Sequence, residues 1–268
     1  MNNCFLNNFK KVKKMDKNKL FISSIASDAS DLCSKYNLGL EISEYCTADN
    51  MDINYIDISK IVSEKIQGID RFVFHGPFNE LFPSAIDSKV RALSLDRFCQ
   101  AYELAKKYNA KKIVFHSGYY SNMYYPCFFK ERSIVFWKEF MDRIDGDIEV
   151  VIENVFDDDP EVLKEIIDKV NRPNLKLCLD IGHANCYTNI GVVNWIKELG
   201  SRISHFHIHN NDGKVDTHNS IDDGIIDMKE VFKAIDEYCP LSTISLEVME
   251  ARNSIKWLIE EGYIDEIR

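Results

Sequence analysis

Six short segments of this chain run apolar residues straight into an acid or an imidazole. They are FVFH ending at His75, KIVFH at His116, VVIE at Glu153, LKLCLD at Asp180, ISHFHIH at His209 and ISLE at Glu247. Runs this short, rich in β-branched and aromatic residues, describe strands buried on both faces, the strand type of parallel sheets. A parallel strand that stops on a metal-ligand residue delivers that group at its C-terminal end. Six such endings place acids and imidazoles on one rim, and the β/α barrel is the architecture that gathers strand C-termini into a ring.

The rest of the chain supplies the alternation that a barrel needs. Strands are expected over 20–25, 38–43, 72–75, 113–116, 149–154, 175–180, 203–209 and 244–248. Helices are expected over 28–36, 88–108, 134–144, 160–170, 192–199, 228–238 and from 254 onward. The long helix follows from Val90, Leu93, Phe98, Ala101, Tyr102, Ala105 and Tyr108 at helical spacing. A chain of 268 residues with no linker-like stretch has the length of one barrel of about 250 residues. The fold class is therefore α/β, a single (β/α)8 TIM barrel over 19–268, with residues 1–18 as a Lys/Asn-rich flexible extension. An open doubly wound sheet would carry a glycine-rich phosphate turn after its first strand, and none is present.

Composition narrows the partners. A net charge of −10 and a pI near 5.2 repel nucleic acid at long range. No segment approaches about 18 unbroken apolar residues, so no membrane partner is expected. Eight cysteines without a CxxC pair point to a reducing, cytoplasmic setting.

Any one of these acids or imidazoles would ordinarily be a hydrogen-bonded strand end at the rim; the set carries the argument. Asp180 and His183, three residues apart in LDIGH, both reach one ion as the strand turns into its loop. In ISHFHIH the period-two alternation puts His205, His207 and His209 on one face, and three imidazoles make an odd filling for a barrel lumen. DTH adds Asp216 and His218. Imidazole nitrogen with carboxylate oxygen is a donor set for zinc and its relatives.

The series HGPF, HSG, EN, LDIGHA, HIHNNDGKVDTH and LEV resembles the xylose isomerase-like barrel superfamily, over nearly the whole chain after Lys19. That superfamily holds sugar and sugar-phosphate isomerases and epimerases and also the endonuclease IV type of abasic-site endonuclease. The resemblance implies a single-metal ligand set at Glu153, Asp180, His207 and Glu247. It implies a trinuclear set that adds His75, His116, His183, Asp216 and His218. One to three divalent ions per chain, zinc or manganese, are the implied cofactors. Under the isomerase reading Glu153 and Glu247 are the proton-transfer carboxylates, and the substrate is a small sugar or sugar phosphate bound near Lys214, Tyr119 and Tyr120, with His209 either facing it or supporting a ligand from behind. The aromatic segment GYYSNMYYPCFF is expected as a rim over the sugar or as packing on a helix. The alternative is an endonuclease IV-like phosphodiester hydrolase acting on DNA. Against it stands the loop EISEYCTADNMD after the second strand, which is acidic and has no Arg or Lys.

Overall fold

The computed structural model describes residues 14–266. Eight parallel strands close into one barrel in chain order: β1 (Leu20–Ser23), β2 (Gly39–Ile42), β3 (Phe72–His75), β4 (Lys112–His116), β5 (Glu149–Glu153), β6 (Leu175–Asp180), β7 (Ile203–Ile208) and β8 (Thr243–Leu246), with β8 pairing back onto β1. Around them lie α1 (Ala29–Tyr36), α2 (Ala48–Met51), α3 (Tyr55–Lys65), α4 (Ser88–Lys107), α5 (Pro126–Arg143), α6 (Pro160–Val170), α7 (Ile181–Tyr187), α8 (Val192–Leu199), α9 (Met228–Tyr238) and α10 (Arg252–Glu260). No helix among the described residues is long and apolar enough to cross a membrane.

The period of two along each strand separates two interiors. Ile22, Leu40, Phe74, Phe115, Ile152, Leu179, Phe206 and Leu246 join the inner faces of the helices in the main core. Phe21, Val73, Val114, Val151 and Cys178 form a second cluster of their own, which fills the lumen. Gly39 makes room for it: a Cβ there would stand 2.2 Å from the Phe21 ring. Helix starts follow local chemistry. Asp159 caps α6 ahead of Pro160, and Asp227 caps α9 through the amides of Lys229 and Glu230.

Several elements differ from the sequence expectation. The helix α3 was not expected because it has no apolar stripe; Val62 is its one buried residue, while Ile56 and Ile61 face solvent. In place of a helix from residue 134, α5 begins at Pro126 and takes in the end of the aromatic segment. On α4, Ser94 and Leu95 are buried and Leu93 is exposed, a shift of the inward face. At the start of the chain the Met15 amide donates to the Tyr263 carbonyl at 2.8 Å and its side chain packs on the core. Packed structure thus begins before residue 19, and residues 1–13 of the expected extension lie outside the described residues.

Candidate metal centre

Strand register sets the site. His116 pairs with Glu153 across β4 and β5, and Asp180 with His207 across β6 and β7, so these groups leave the barrel at one level. The loop after β7 folds back over the rim: Asn210 and Asn219 form an antiparallel bridge, and the Met249 amide donates to the His218 carbonyl. His218 takes φ 48° to do so, a left-handed conformation that costs a non-glycine residue energy and clusters at functional sites.

The nine residues expected as ligands come together in one network. Glu153 Oε2 lies 3.4 Å from Nε2 of both His75 and His116. Its Oε1 is 3.1 Å from His207 Nδ1 and 3.5 Å from His183 Nδ1. His207 Nδ1 is also 3.0 Å from Glu247 Oε2 and 3.8 Å from Asp180 Oδ2. His183 Nε2 reaches Asp216 Oδ2 at 3.2 Å, and His218 Nε2 reaches the same oxygen at 3.1 Å.

Second partners orient these rings. His75 Nδ1 donates to the Gly76 carbonyl at 2.9 Å, His183 Nδ1 to the Asn154 carbonyl at 2.9 Å and His218 Nδ1 to the Glu247 carbonyl at 2.8 Å. Each of these bonds sets the ring so that Nε2 faces a carboxylate, and an imidazole held this way through Nδ1 can offer Nε2 to a metal once that nitrogen gives up its proton.

Two residues with structural command of the site carried no role in the sequence reading. Asn154 accepts the Asp180 amide at 2.9 Å and donates to the Asp180 carbonyl at 3.0 Å, which pins the junction of β6 and α7. Glu41, wholly buried on β2, faces His207 Nε2 at 3.0 Å and His205 Nε2 at 3.2 Å. The available signal was the acid inside the apolar run LGLEIS. His183 stands in the first turn of α7 and not in a loop: Asp180 caps that helix by accepting the His183 amide at 2.7 Å.

Among the expected substrate contacts, placements diverge. His209 is fully buried with Nε2 on both Asp180 oxygens, at 3.0 and 3.2 Å. Of the two expected placements, behind a ligand or facing substrate, this is the first: His209 holds Asp180 from a seat above Gly182, where a Cβ would meet the ring at 1.9 Å. Tyr119 is likewise buried, its ring against Phe129 at 4.6 Å, so it packs under the loop. Tyr120 is partly exposed and leans on Phe156. Tyr124 packs half-buried on the core, whereas Tyr125 is open to solvent. Lys214 is exposed at the tip of the loop after β7.

The charges are strongly interdependent. Burial favours the neutral acid at Glu153, but His207 and His116 hold it well below the carboxylate range. Burial opposes charge on His183, yet Asp180 and Asp216 carry it up to about 10; His218 is raised against burial to about 9 by Asp216 and Glu247. Burial brings His116 down to about 3.

The donors fit a divalent cation. Glu153 Oε2 and Asp216 Oδ1 are buried and accept no hydrogen bond, and a buried carboxylate oxygen without a donor is costly unless a cation meets it. His75, His116 and Glu153 form one group whose ligand atoms lie within 4.8 Å of one another; His183, Asp216 and His218 form a second, and His209, His218 and Glu247 a third.

Residues 15–261 match the family described as the xylose isomerase-like TIM barrel, and the chain belongs to that family. An uncharacterised protein of Methanocaldococcus jannaschii is 30% identical over 194 residues, 69% of this chain and 66% of that protein's length. A solved D-tagatose 3-epimerase-like protein superposes with TM-score 0.71 at 25% identity, covering 91% of this chain and 96% of its own. An IolI protein solved with a bound zinc atom superposes with TM-score 0.72 at 18% identity, covering 92% and 100%.

Proposed function

We propose that this protein is a divalent-metal-dependent isomerase or epimerase of a small sugar. One observation carries the reading. A single imidazole nitrogen, His207 Nδ1, stands within 3.0 to 3.8 Å of carboxylate oxygens from three other strand ends, Glu153, Asp180 and Glu247. Those four groups make up the ligand set of a single cation. The epimerase-like and zinc-bearing structural neighbours agree with it.

A bound zinc or manganese ion would polarise a carbonyl and the hydroxyl beside it, which acidifies the intervening C–H. The protein's own groups do the rest. Glu153 and Glu247 arrive from β5 and the end of β8, so one takes the proton and the other returns it on the opposite side of the sugar carbon. The Glu247 side chain is the more open of the two, at 11% against 1% exposure, and meets substrate first. Phe82, Tyr120 and Phe156 pack together beside the mouth and offer an aromatic edge to a sugar face. His209 Nε2, on both Asp180 oxygens, keeps that carboxylate aimed at the centre.

Charge selects among substrates. In the loops that follow the eight strands Lys214 is the one basic residue, against Glu44, Glu80, Asp157, Asp158, Asp159 and Asp212 among the acids. An uncharged sugar is favoured there over a phosphorylated one.

The second reading, a phosphoester hydrolase with several zinc ions, draws on the two further ligand groups around His116 and Asp216. It meets the same acidic mouth. Phosphate contacts by Lys and Arg supply much of the affinity for DNA, and Glu44 after β2 is itself tied to Lys65 at 2.7 Å. The deciding experiment incubates one zinc- or manganese-loaded preparation with ketoses in deuterated water and with abasic-site duplex DNA. Deuterium incorporation into a free ketose, lost in Glu153→Gln, supports the isomerase. Chelator-sensitive incision without exchange into any sugar replaces it with the hydrolase.

A further inference from the structure

We infer that Glu41 is a positioning residue for His207: its buried carboxylate fixes which imidazole nitrogen faces the centre and strengthens cation binding there. The inference rests on the metal reading above. Of the rings oriented by a second partner, His75, His183 and His218 donate to neutral backbone carbonyls. His207 differs in that the partner hydrogen-bonded behind it is a carboxylate, with Nε2 3.0 Å from Glu41 Oε1.

The arrangement is directional. Glu41 Oε2 takes His205 Nε2 at 3.2 Å and the Ser245 hydroxyl, which leaves Oε1 to His207. Behind it His205 Nδ1 meets the Thr243 hydroxyl at 2.6 Å. A chain of four side chains, from Thr243 through His205 and Glu41 to His207, therefore climbs the lumen and ends at the nitrogen shared by three carboxylates. None of the four contributes to the rim except the last.

A filler role would predict something different. The neighbouring lumen positions on other strands carry Phe21, Val73, Val114 and Val151, and an apolar residue at position 41 would remove a fully buried charge whose desolvation costs energy. The carboxylate is held instead by three donors, one of which is a ligand of the proposed centre. Carboxylates that accept the outer N–H of a metal-bound imidazole lock its tautomer and raise its basicity, and their loss typically lowers metal affinity about 10- to 100-fold.

The test compares Glu41→Ala, Glu41→Gln and Ser245→Ala with wild type in zinc affinity, by competition with a chromophoric chelator. Expected are a loss of about 10- to 100-fold for Glu41→Ala, a smaller loss for Glu41→Gln, whose amide oxygen still accepts the bond, and little change for Ser245→Ala. Histidine 15N spectra supply a readout that packing alone would not move: the zinc-loaded wild type shows His207 protonated on Nε2 and bare at Nδ1, and Glu41→Ala loses that protected Nε2–H. If Glu41→Ala does not fold, Glu41→Gln, which keeps the volume, carries the test. Unchanged zinc affinity in Glu41→Gln, or unchanged zinc affinity with His207 still protonated on Nε2 in Glu41→Ala, with only a lower melting temperature, would overturn the role. Wild-type protein that binds neither zinc nor manganese would overturn the metal reading itself.

Discussion

On β3, β4, β5 and β6 the lumen holds Val73, Val114, Val151 and Cys178, and two residues further along the same strands it holds His75, His116, Glu153 and Asp180. One side-chain period, about 6.6 Å of strand, separates an apolar plug from a ring of candidate ligands. Both layers are enclosed apart from the His116 ring, whose side chain is 20% exposed, so burial barely distinguishes them; what differs is what each can do with the enclosure. The lower layer gains from leaving water and gives the barrel its stiffness. The upper one gathers imidazoles and carboxylates that satisfy one another only in part and leave two carboxylate oxygens without donors. A fold can hold such a ring in place because the plug beneath it does not move.

The sharpest way to break the comparison is to remove one charge from the ring. Glu153→Gln is expected to lower solvent exchange into substrate by at least about 10³-fold, within the range for loss of a positioned acid or base. It should leave the melting temperature of the metal-free protein near wild type, since the plug is untouched. Parallel exchange and melting measurements check it, and collapse of the fold together with the activity would show that ring and plug are not separable.

The converse change puts a charge into the plug. Val114→Asp buries a carboxylate with no cation or donor assigned to it, and a cost of about 3 to 5 kcal/mol is expected, the scale of an uncompensated buried charge. Denaturant unfolding measures it. A loss below about 1 kcal/mol would mean that the lower lumen admits water, and the contrast with the rim would fail.

The same contrast explains what could be read from the chain. The strand endings were legible because a ligand type after an apolar run is conspicuous, and all eight strands were expected within a few residues of their places. Glu41 escaped because it stands mid-strand, where position 41 points down the lumen and its partners His205 and Ser245 are far away in sequence. The helix α7 escaped because it is only about two turns long, IGHANCY, and its start depends on the side chain of Asp180, itself a proposed ligand. For His209 the chain left two roles open, behind a ligand or facing substrate, because alternation gives a face but not a depth.

Metal addition tests the ring without mutation. With His183 raised to about 10 and His218 to about 9, both rings are cationic at pH 7.5 in the metal-free protein. Their raised values stabilise that state below about pH 6.5, and the contribution is lost as pH rises through 9 to 10. A cation needs them neutral, so zinc binding should release protons and tighten with rising pH. Calorimetry in buffers of different ionisation enthalpy reads the release, and heats independent of buffer would remove these two residues from the ligand set. Zinc at about 100 times its dissociation constant should add about 2.7 kcal/mol of stability.

The smallest expected effect lies just outside the ring. Asp157 is buried behind the β4 and β5 ends, accepts the Ser117 hydroxyl at 2.7 Å and the Val155 amide at 3.0 Å through Oδ2, and leaves Oδ1 without a donor. Burial outweighs those two bonds and raises its carboxyl to about 6. The fold thus prefers the protonated acid. Its contribution is fully present below about pH 4 and is lost as pH rises through about 6, a change of about 2 kcal/mol between those pH values. Asp157→Asn mimics the protonated form at every pH, so the variant should equal wild type near pH 4 and exceed it by about 2 kcal/mol near pH 6. Urea unfolding of both proteins across that window decides it. Curves that stay parallel would show that Asp157 is ionised throughout, and the carboxylate belongs with the ring it adjoins instead of with the packed layer behind it.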